Sequence, residues 1–461
     1  MAHKSQRRSA MLLSSLVAVS LGVAACGSSE DGGDGADAGA SGDAKTKIDC
    51  APYEAFGDIK GKTVTVYTSI TAPEDEPHIK SYQPFIDCTG AEIKYEGSKE
   101  FEAQLPVRVK GGNAPDIAYL PQPGLLKTMV ATGKVIEAPP EVAANVDKNM
   151  PDWKEYGTVD GKFYGAALGA NVKSFVWYSP AAFEEKGYEI PKTWDDLLTL
   201  SDKIAADDPD SKPWCAGIES GDATGWPATD WVEDVMLRTA GPEVYDKWTN
   251  HEIPFNDPAV ATALAEVGKI LKNDKFVNGG QGDVKTIAST SFQDAGLPVL
   301  DNGGCYLHRQ ASFYAANWPE GTKVAEDGDV WAFYLPAKDE TTKPVLGGGE
   351  FVAAFADRPE VKAFQTYLSS VEWANERATT CGTGGCVTAN KNADPELLKN
   401  PVDKLSAQIL TDESATFRFD ASDLMPGAVG SGTFWKGMTN WITGQDDKAT
   451  LDYIENSWPK S

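Results

Sequence analysis

Histidine is scarce: four in 461 residues, scattered along the chain, and no two cysteines stand in Cys-x-x-Cys spacing. No metal site of thiolate and imidazole ligands is expected from such a set. No Gly-x-Ser-x-Gly elbow occurs, which removes the serine-hydrolase arrangement built on it. Beyond the first apolar stretch no apolar run reaches 18 residues, so no membrane-spanning helix is expected. No repeat of solenoid type is visible. Positive charge is also short, with 42 Lys and Arg against 68 Asp and Glu, a net charge of −26. A chain this acidic is not expected to bind nucleic acid or to dock electrostatically on anionic lipid. No cofactor is expected.

What is present begins at the N-terminus. Lys4, Arg7 and Arg8 precede the apolar stretch Met11 to Val23, which ends in Leu21-Gly22-Val23-Ala24-Ala25-Cys26. A basic start, a short apolar run and small residues read as a secretory signal peptide, residues 1–25. The Val-Ala-Ala-Cys ending resembles the lipobox of bacterial lipoproteins, which implies lipid on Cys26 and an extracytoplasmic, membrane-anchored protein. Residues 26–47 are rich in Gly, Ser, Ala and Asp and cannot bury a core. They are expected to act as a tether spanning about 25 Å.

Six cysteines remain after Cys26, and an even number in an exported chain implies disulfides. Six allow 15 pairings. The expected set is Cys50–Cys88, Cys215–Cys305 and Cys381–Cys386, the last closed over a run containing three glycines.

The remaining length exceeds the usual size of one core, so two lobes are expected. Lys62 to Tyr67, Ala91 to Tyr95 and Asp116 to Leu120 read as strands, with a helix pattern at Phe101 to Lys110 between them. That alternation predicts an α/β lobe with a mainly parallel sheet. Ser174 to Tyr178 and Val330 to Leu335 read as further strands. Thr193 with Asp196 three residues on predicts a helix N-terminus. Helical patterns also run over Trp231 to Thr239, Ala259 to Leu271, Glu360 to Leu368 and Phe434 to Ile442.

Four stretches, in this order, resemble the sugar-binding proteins of ABC importers, the maltose-binding-protein-like class. They are Asn113 to Tyr119; Phe175 to Phe183 with Pro191 to Leu197; Val345 to Glu350 with Tyr367 to Val371; and Leu424 to Val429 with Phe434 and Trp435. Lys212 to Cys215, Gly225 to Trp231 and Cys305 to Ala311 are similar to segments of the α-glucoside-binding subgroup. The resemblance implies a two-lobed α/β fold closing on a sugar. Residues 48–169 with 330–354 would form the N-terminal lobe, and 171–328 with 357–461 the C-terminal lobe. Crossings are expected near Leu168 to Asn171, Gly328 to Val330 and Ala354 to Asp357. It further implies a monomeric, non-enzymatic receptor that hands a small α-linked sugar to a membrane permease. A secreted glycoside hydrolase is one competing reading, and it would need a pair of carboxylates about 5–9.5 Å apart. A binding protein for a non-sugar solute is the other.

A sugar offers apolar C–H faces and a rim of hydroxyls, so its site needs aromatic platforms and fixed polar partners. Trp435 is the expected platform, on the resemblance. Trp226 in Gly-Trp-Pro, with Asp230 four residues on, is a second candidate. His308 and Arg309 follow an apolar strand, and Gly349 and Glu350 end a glycine run that lets backbone approach a ligand. Glu74, Glu100 and Gln122 lie in loops at predicted strand ends. Asn171 at the crossing and Asp423 before Leu-Met-Pro complete the candidate set.

Overall fold

In the first lobe the strands follow from β-branched and aromatic runs. β1 (Thr63–Thr68), β2 (Glu92–Gly97) and β3 (Ile117–Leu120) lie in the order β2-β1-β3, all parallel. β3 is buried on both faces, and the edge strand β2 is largely exposed. This computed structural model describes residues 48–278, 282–301, 304–382 and 384–460. The expected signal peptide 1–25, the lipid-bearing Cys26 and the tether 26–47 lie outside the described residues. Side chains of β1 and β3 alternate between two cores, as the period of a strand requires. Val64, Val66, Ile117 and Tyr119 face one, with Phe85, Phe364 and Tyr367. Tyr67, Ala118 and Leu120 face the other, with Phe101, Leu105 and Leu126.

The hairpin β4 (Thr158–Val159) and β5 (Lys162–Phe163) leads to β6 (Gly165–Ala167), which closes the far edge of the first sheet. β7 (Asn171–Val172) follows in a small separate sheet, and β8 (Phe175–Tyr178), β9 (Lys212–Cys215) and β10 (Cys305–Arg309) build the second lobe. Here β8 is antiparallel to β10, and only β9 runs parallel to β10, so the mainly parallel sheet belongs to the first lobe alone. The helix Trp194–Asp207 carries the full Thr193–Asp196 capping box, with both reciprocal bonds at 3.1 Å.

The lobe boundaries differ from those expected. β11 (Trp331–Tyr334) pairs antiparallel with β8 of the second lobe, and β12 (Pro344–Gly348) pairs with β7 and with β14 (Thr416–Phe419). Only β13 (Phe351–Ala354) returns to the first sheet, antiparallel to β3 and β6. The second crossing is therefore at Gly349 and Glu350, not near Gly328 to Val330. An apolar run such as Val330 to Leu335 reads alike in either sheet, and its partner is chosen by non-local pairing. The helices Pro359–Leu368 and Val371–Thr380 likewise pack on the first-lobe core through Phe364, Tyr367 and Trp373. The chain rejoins the second-lobe core only with the helix Pro401–Leu410, through Val402 and Ile409. The expected crossing near Ala354 to Asp357 is corrected accordingly.

Gly349 shows why glycine is needed at a crossing. A Cβ there would lie 2.1 Å from the Gly169 carbonyl oxygen, so two crossing strands could not approach with any other residue. Its φ is not positive; close approach and not a left-handed backbone demands the glycine.

The three disulfides pair as expected: Cys50–Cys88, Cys215–Cys305 and Cys381–Cys386, with Cα separations of 5.4, 5.6 and 6.0 Å. Among the described residues no helix is long and apolar enough to cross a membrane.

Candidate functional site

Between the lobes lies a cleft of about 1330 Å³ of empty space, its mouth included. Its floor in the second lobe centres on Lys173, which directly follows β7. The ammonium donates to Asp230 Oδ1 at 3.0 Å and Asp420 Oδ2 at 2.5 Å, and lies 3.9 Å from Asp423 Oδ2. Arg309 donates to Asp230 Oδ2 at 3.3 Å and Asp234 Oδ2 at 2.9 Å. Arg238 pairs with Asp234, and Glu233 accepts the backbone N–H of Ala421 at 2.8 Å.

Three cations thus serve five buried carboxylates, and the protons are distributed accordingly. Burial, partly offset by Lys173, pushes Asp230 up to about 7. Burial and the charge of Asp420 raise Glu233 well above the carboxylate range. Burial, with Asp420 again, raises Asp423. Burial would raise Asp420 too, but Lys173 and the hydrogen bonds from its acidic neighbours hold it low. Asp230, Glu233 and Asp420 lie close enough to share a metal ion. Lys173 already supplies the positive charge to two of them. The other such group among the described residues contains the disulfide-bonded Cys381 and Cys386 with Asp403, and a disulfide is no thiolate ligand.

One wall is aromatic. Trp226, at the start of the helix Trp226–Ala240, meets Phe292 at 5.0 Å and Phe313 at 6.0 Å between ring centres. All three rings are half-buried and line the cleft. Trp435 lines it too, but is only 3% exposed. The backbone of Gly225 is pressed against it: a Cβ on Gly225 would lie 2.2 Å from the Trp435 carbonyl oxygen, and φ there is +117°.

The first lobe supplies acids and one guanidinium. Glu102 accepts from Gln122 Nε2 at 3.2 Å, and burial raises its carboxyl to about 7. Arg377 Nη2 is 3.2 Å from His78 Nε2, and its buried guanidinium is held below its ordinary value by burial. Glu350 is raised by burial, against the opposing charges of Arg377 and Lys173. Five buried polar atoms of cleft residues have no hydrogen-bond partner within the protein: Glu102 Oε2, Gln122 Oε1, Arg377 Nη1, Trp435 Nε1 and His78 Nδ1.

Of the residues named from the sequence, Glu74, Gln122, Asn171, Trp226, Gly349, Glu350, Asp423 and Trp435 line the cleft. Four do not. Asp230 and Arg309 lie beneath the floor, buried in the ion network. His308 is in the second-lobe core, its Nδ1 3.1 Å from the Cys215 carbonyl oxygen and its ring against Tyr314. Glu100 is exposed at the rim, beside Asp222, whose carboxylate raises it. The reason for the misplacement is periodicity: the alternation of β10 turns successive residues to opposite faces, but sequence cannot say that both faces are buried. The residues missed include Lys173, Glu102, Phe292, Phe313 and Arg377. Lys173 could have been found, as a cation beside the expected crossing. The other four stand in stretches with no local mark.

The Cys381–Cys386 loop shapes this site. Gly384 and Gly385 line the cleft, and Asp403 accepts the Gly385 N–H at 2.7 Å. A Cβ on Gly385 would lie 2.7 Å from Phe313 Cα, so the loop backs the aromatic wall. Opening it in the double variant Cys381→Ser and Cys386→Ser is expected to lower unfolding free energy by about 2 kcal/mol, the entropy of so short a loop. Ligand affinity should fall as well, whereas opening Cys50–Cys88 should cost stability and leave affinity unchanged. Denaturant melts and titrations on both variants check this.

Comparison with known proteins agrees with the cleft. The family described as "Bacterial extracellular solute-binding protein" matches residues 77–374. The osmoprotective compounds-binding protein GgtB of Synechocystis sp. is 41% identical over 411 residues, covering 88% of this chain and 94% of its own. The alpha-glucosides-binding periplasmic protein AglE of Rhizobium meliloti is 41% identical over 414 residues, 87% and 88% of the two chains. The solved solute receptor AcbH shares the fold with a TM-score of 0.71 at 18% identity, over 86% of this chain and 98% of its own. A two-lobed fold, a cleft lined from both lobes and relatives matched over nearly their full length converge: the chain belongs to the bacterial extracellular solute-binding proteins, the non-enzymatic capture components of ABC importers.

Proposed function

We propose that the cleft captures a small neutral polyhydroxylated solute, an α-glucoside of the size of trehalose, sucrose or maltose, and that the protein delivers it to an ABC permease. The observation that carries this reading is the set of unpaired buried atoms on residues that line the cleft, which includes the donors Arg377 Nη1 and Trp435 Nε1 and the acceptors Glu102 Oε2 and Gln122 Oε1. A ligand that satisfies both kinds must donate and accept, as a hydroxyl does. The wall of Trp226, Phe292 and Phe313 suits the C–H face of a sugar ring. The names of GgtB and AglE, osmoprotective compounds and alpha-glucosides, support a solute of this class.

Capture is a population shift: the solute binds the closed form more tightly and so stabilises it. A tryptophan-fluorescence titration of residues 48–461 with trehalose, sucrose, maltose, maltotriose, lactose and a neutral peptide tests the reading. A saturable response to one or two α-glucosides supports it. Response to the peptide alone, or to nothing, overturns it. Anchoring through lipid on Cys26 is proposed with it. Metabolic labelling with an alkyne fatty acid, lost in Cys26→Ser, would support the anchor, and label retained in that variant would refute it.

A further inference from the structure

The rim of the cleft is held by contacts between the lobes themselves. Asn317 ends the turn Ser312–Asn317 of the second lobe, and its Nδ2 donates to Glu74 Oε1 of the first lobe at 3.0 Å. Two further bonds cross nearby, from Gln293 Nε2 to the Ala72 carbonyl and from the Asp222 N–H to the Lys99 carbonyl, each 3.3 Å. Both of those end on backbone. The bond from Asn317 ends on a carboxylate that lines the cleft, while Asn317 itself does not line it. Among the described residues Asn317 Oδ1 is buried with no partner, so the side chain's polar contact is the bond to Glu74.

We propose that Asn317 is a positioning residue for solute capture: from the opposite lobe it fixes Glu74 in its ligand-facing orientation, so that closing the cleft and completing the site are one event. The inference rests on the cleft being the solute site. In an open cleft Asn317 is carried away with its lobe, and Glu74 is left free to turn toward water.

A proton is linked to this step. The groups facing Glu74 are the Asn317 amide, Glu350, Arg377 and Asp75, with the phenols of Tyr95 and Tyr314 beyond them. Both phenols are raised by burial and stay neutral at ordinary pH. Burial pushes Glu74 up to about 7; the Asn317 hydrogen bond and Arg377 oppose that rise, and the charges of Glu350 and Asp75 add to it. Opening exposes Glu74 to water and returns it to the carboxylate range. Closing therefore takes up a proton. The closed form is favoured fully below the carboxylate range, and its advantage is lost as pH rises through about 7. Glu102 and Glu350 shift in the same direction, so the test must isolate Glu74.

A double-mutant cycle does so. The dissociation constant of the tightest-binding sugar of the panel is measured from pH 5 to 8.5 for wild type, Asn317→Ala, Glu74→Ala and the double variant. At pH 8.5, where Glu74 is ionised in the closed form too, Asn317→Ala should weaken binding roughly tenfold, the loss of one hydrogen bond to a charged group. It should also move the pH at which affinity falls upward, because the bond that opposes the rise of Glu74 is gone. In the Glu74→Ala background, where no acceptor is left at that position, the same change should cost no more than about twofold. Equal losses in both backgrounds, or an unmoved pH profile, would overturn the proposal. Should wild type bind no sugar, the solute reading fails, and small-angle scattering decides the contact instead. A larger ligand-free radius of gyration for Asn317→Ala than for wild type sustains the closing role, and an unchanged one overturns it.

Discussion

Lys173→Met is expected to destabilise the protein by about 3–5 kcal/mol at pH 7.5, the cost of leaving buried charge without its partner. The magnitude follows from where the ammonium sits. Its side chain is 10% exposed, and those of Asp230 and Asp420 are 1% exposed. Methionine keeps the length and apolar stem of lysine but neutralises none of the five carboxylates beneath the cleft. Asp420 suffers most, because it is held ionised by Lys173. In wild type its low value contributes stability that is present above the carboxylate range and lost only as pH falls well below it. In the variant that value must rise, so Asp420 is protonated at mildly acidic pH and the penalty shrinks. Urea melts at pH 7.5 and pH 5 measure both halves of the expectation. A penalty equal at the two pH values would mean that packing, and not charge, is what Lys173 contributes.

Wild type carries a second pH dependence of opposite sign. Asp230, Glu74 and Glu102 are each raised to about 7 by burial. A carboxyl raised on folding contributes fully below its unfolded value, and that contribution is lost as pH rises through the folded value. The same urea series should therefore find wild type less stable at pH 7.5 than at pH 5, while Lys173→Met loses further stability between them.

Trp226→Ala is expected to weaken sugar binding by about 30- to 150-fold, or 2–3 kcal/mol, with a melting temperature within a few degrees of wild type. The split follows from exposure. Trp226 is half-buried and presents its ring to the cleft beside Phe292 and Phe313, so truncation removes a platform without emptying a core. Trp435, the platform expected from the resemblance, is 3% exposed and packed beneath the Gly225 backbone. Its truncation opens a cavity, and Trp435→Ala should cost about 3–5 kcal/mol of stability. Isothermal titration and thermal melts on the two variants separate the roles. A larger affinity loss with unchanged melting in Trp435→Ala would return the platform to the residue the sequence favoured.

How much could be read beforehand is clearest at Thr193, where the cap, the reciprocal bonds and the helix all stand as the local pattern requires. The helix Phe101–Lys110 begins and ends as expected, and β1 is displaced by one residue at each end. Such features are local: the hydrogen bonds of a cap or the alternation of a strand are decided within a few residues. Trp226 shows the limit. Gly-Trp-Pro reads as a rigid turn, yet Trp226 opens a helix with proline at its second position, where proline is well tolerated. Arg377 shows it more plainly. It sits in a helix like any other, and only the packing of that helix on the first lobe carries it to the cleft.

The class of the protein was legible in the chain, through its resemblance to a known family. The ordered set of lobe segments resembled that of a two-lobed receptor family, the evenness of the cysteines pointed to three disulfides, and the acid excess argued against nucleic-acid partners. The tertiary structure decided which polar side chains face a solute. Asp230 and Arg309 were consumed by a buried ion network, while Lys173, Glu102 and Arg377 reached the cleft. It also decided the lobe to which β11 and β12 belong. The reason is the same in both cases. A buried charge is placed by partners 57 to 247 residues away, as Lys173 is by Asp230 and Asp420, and no short window of sequence contains that balance of desolvation and pairing.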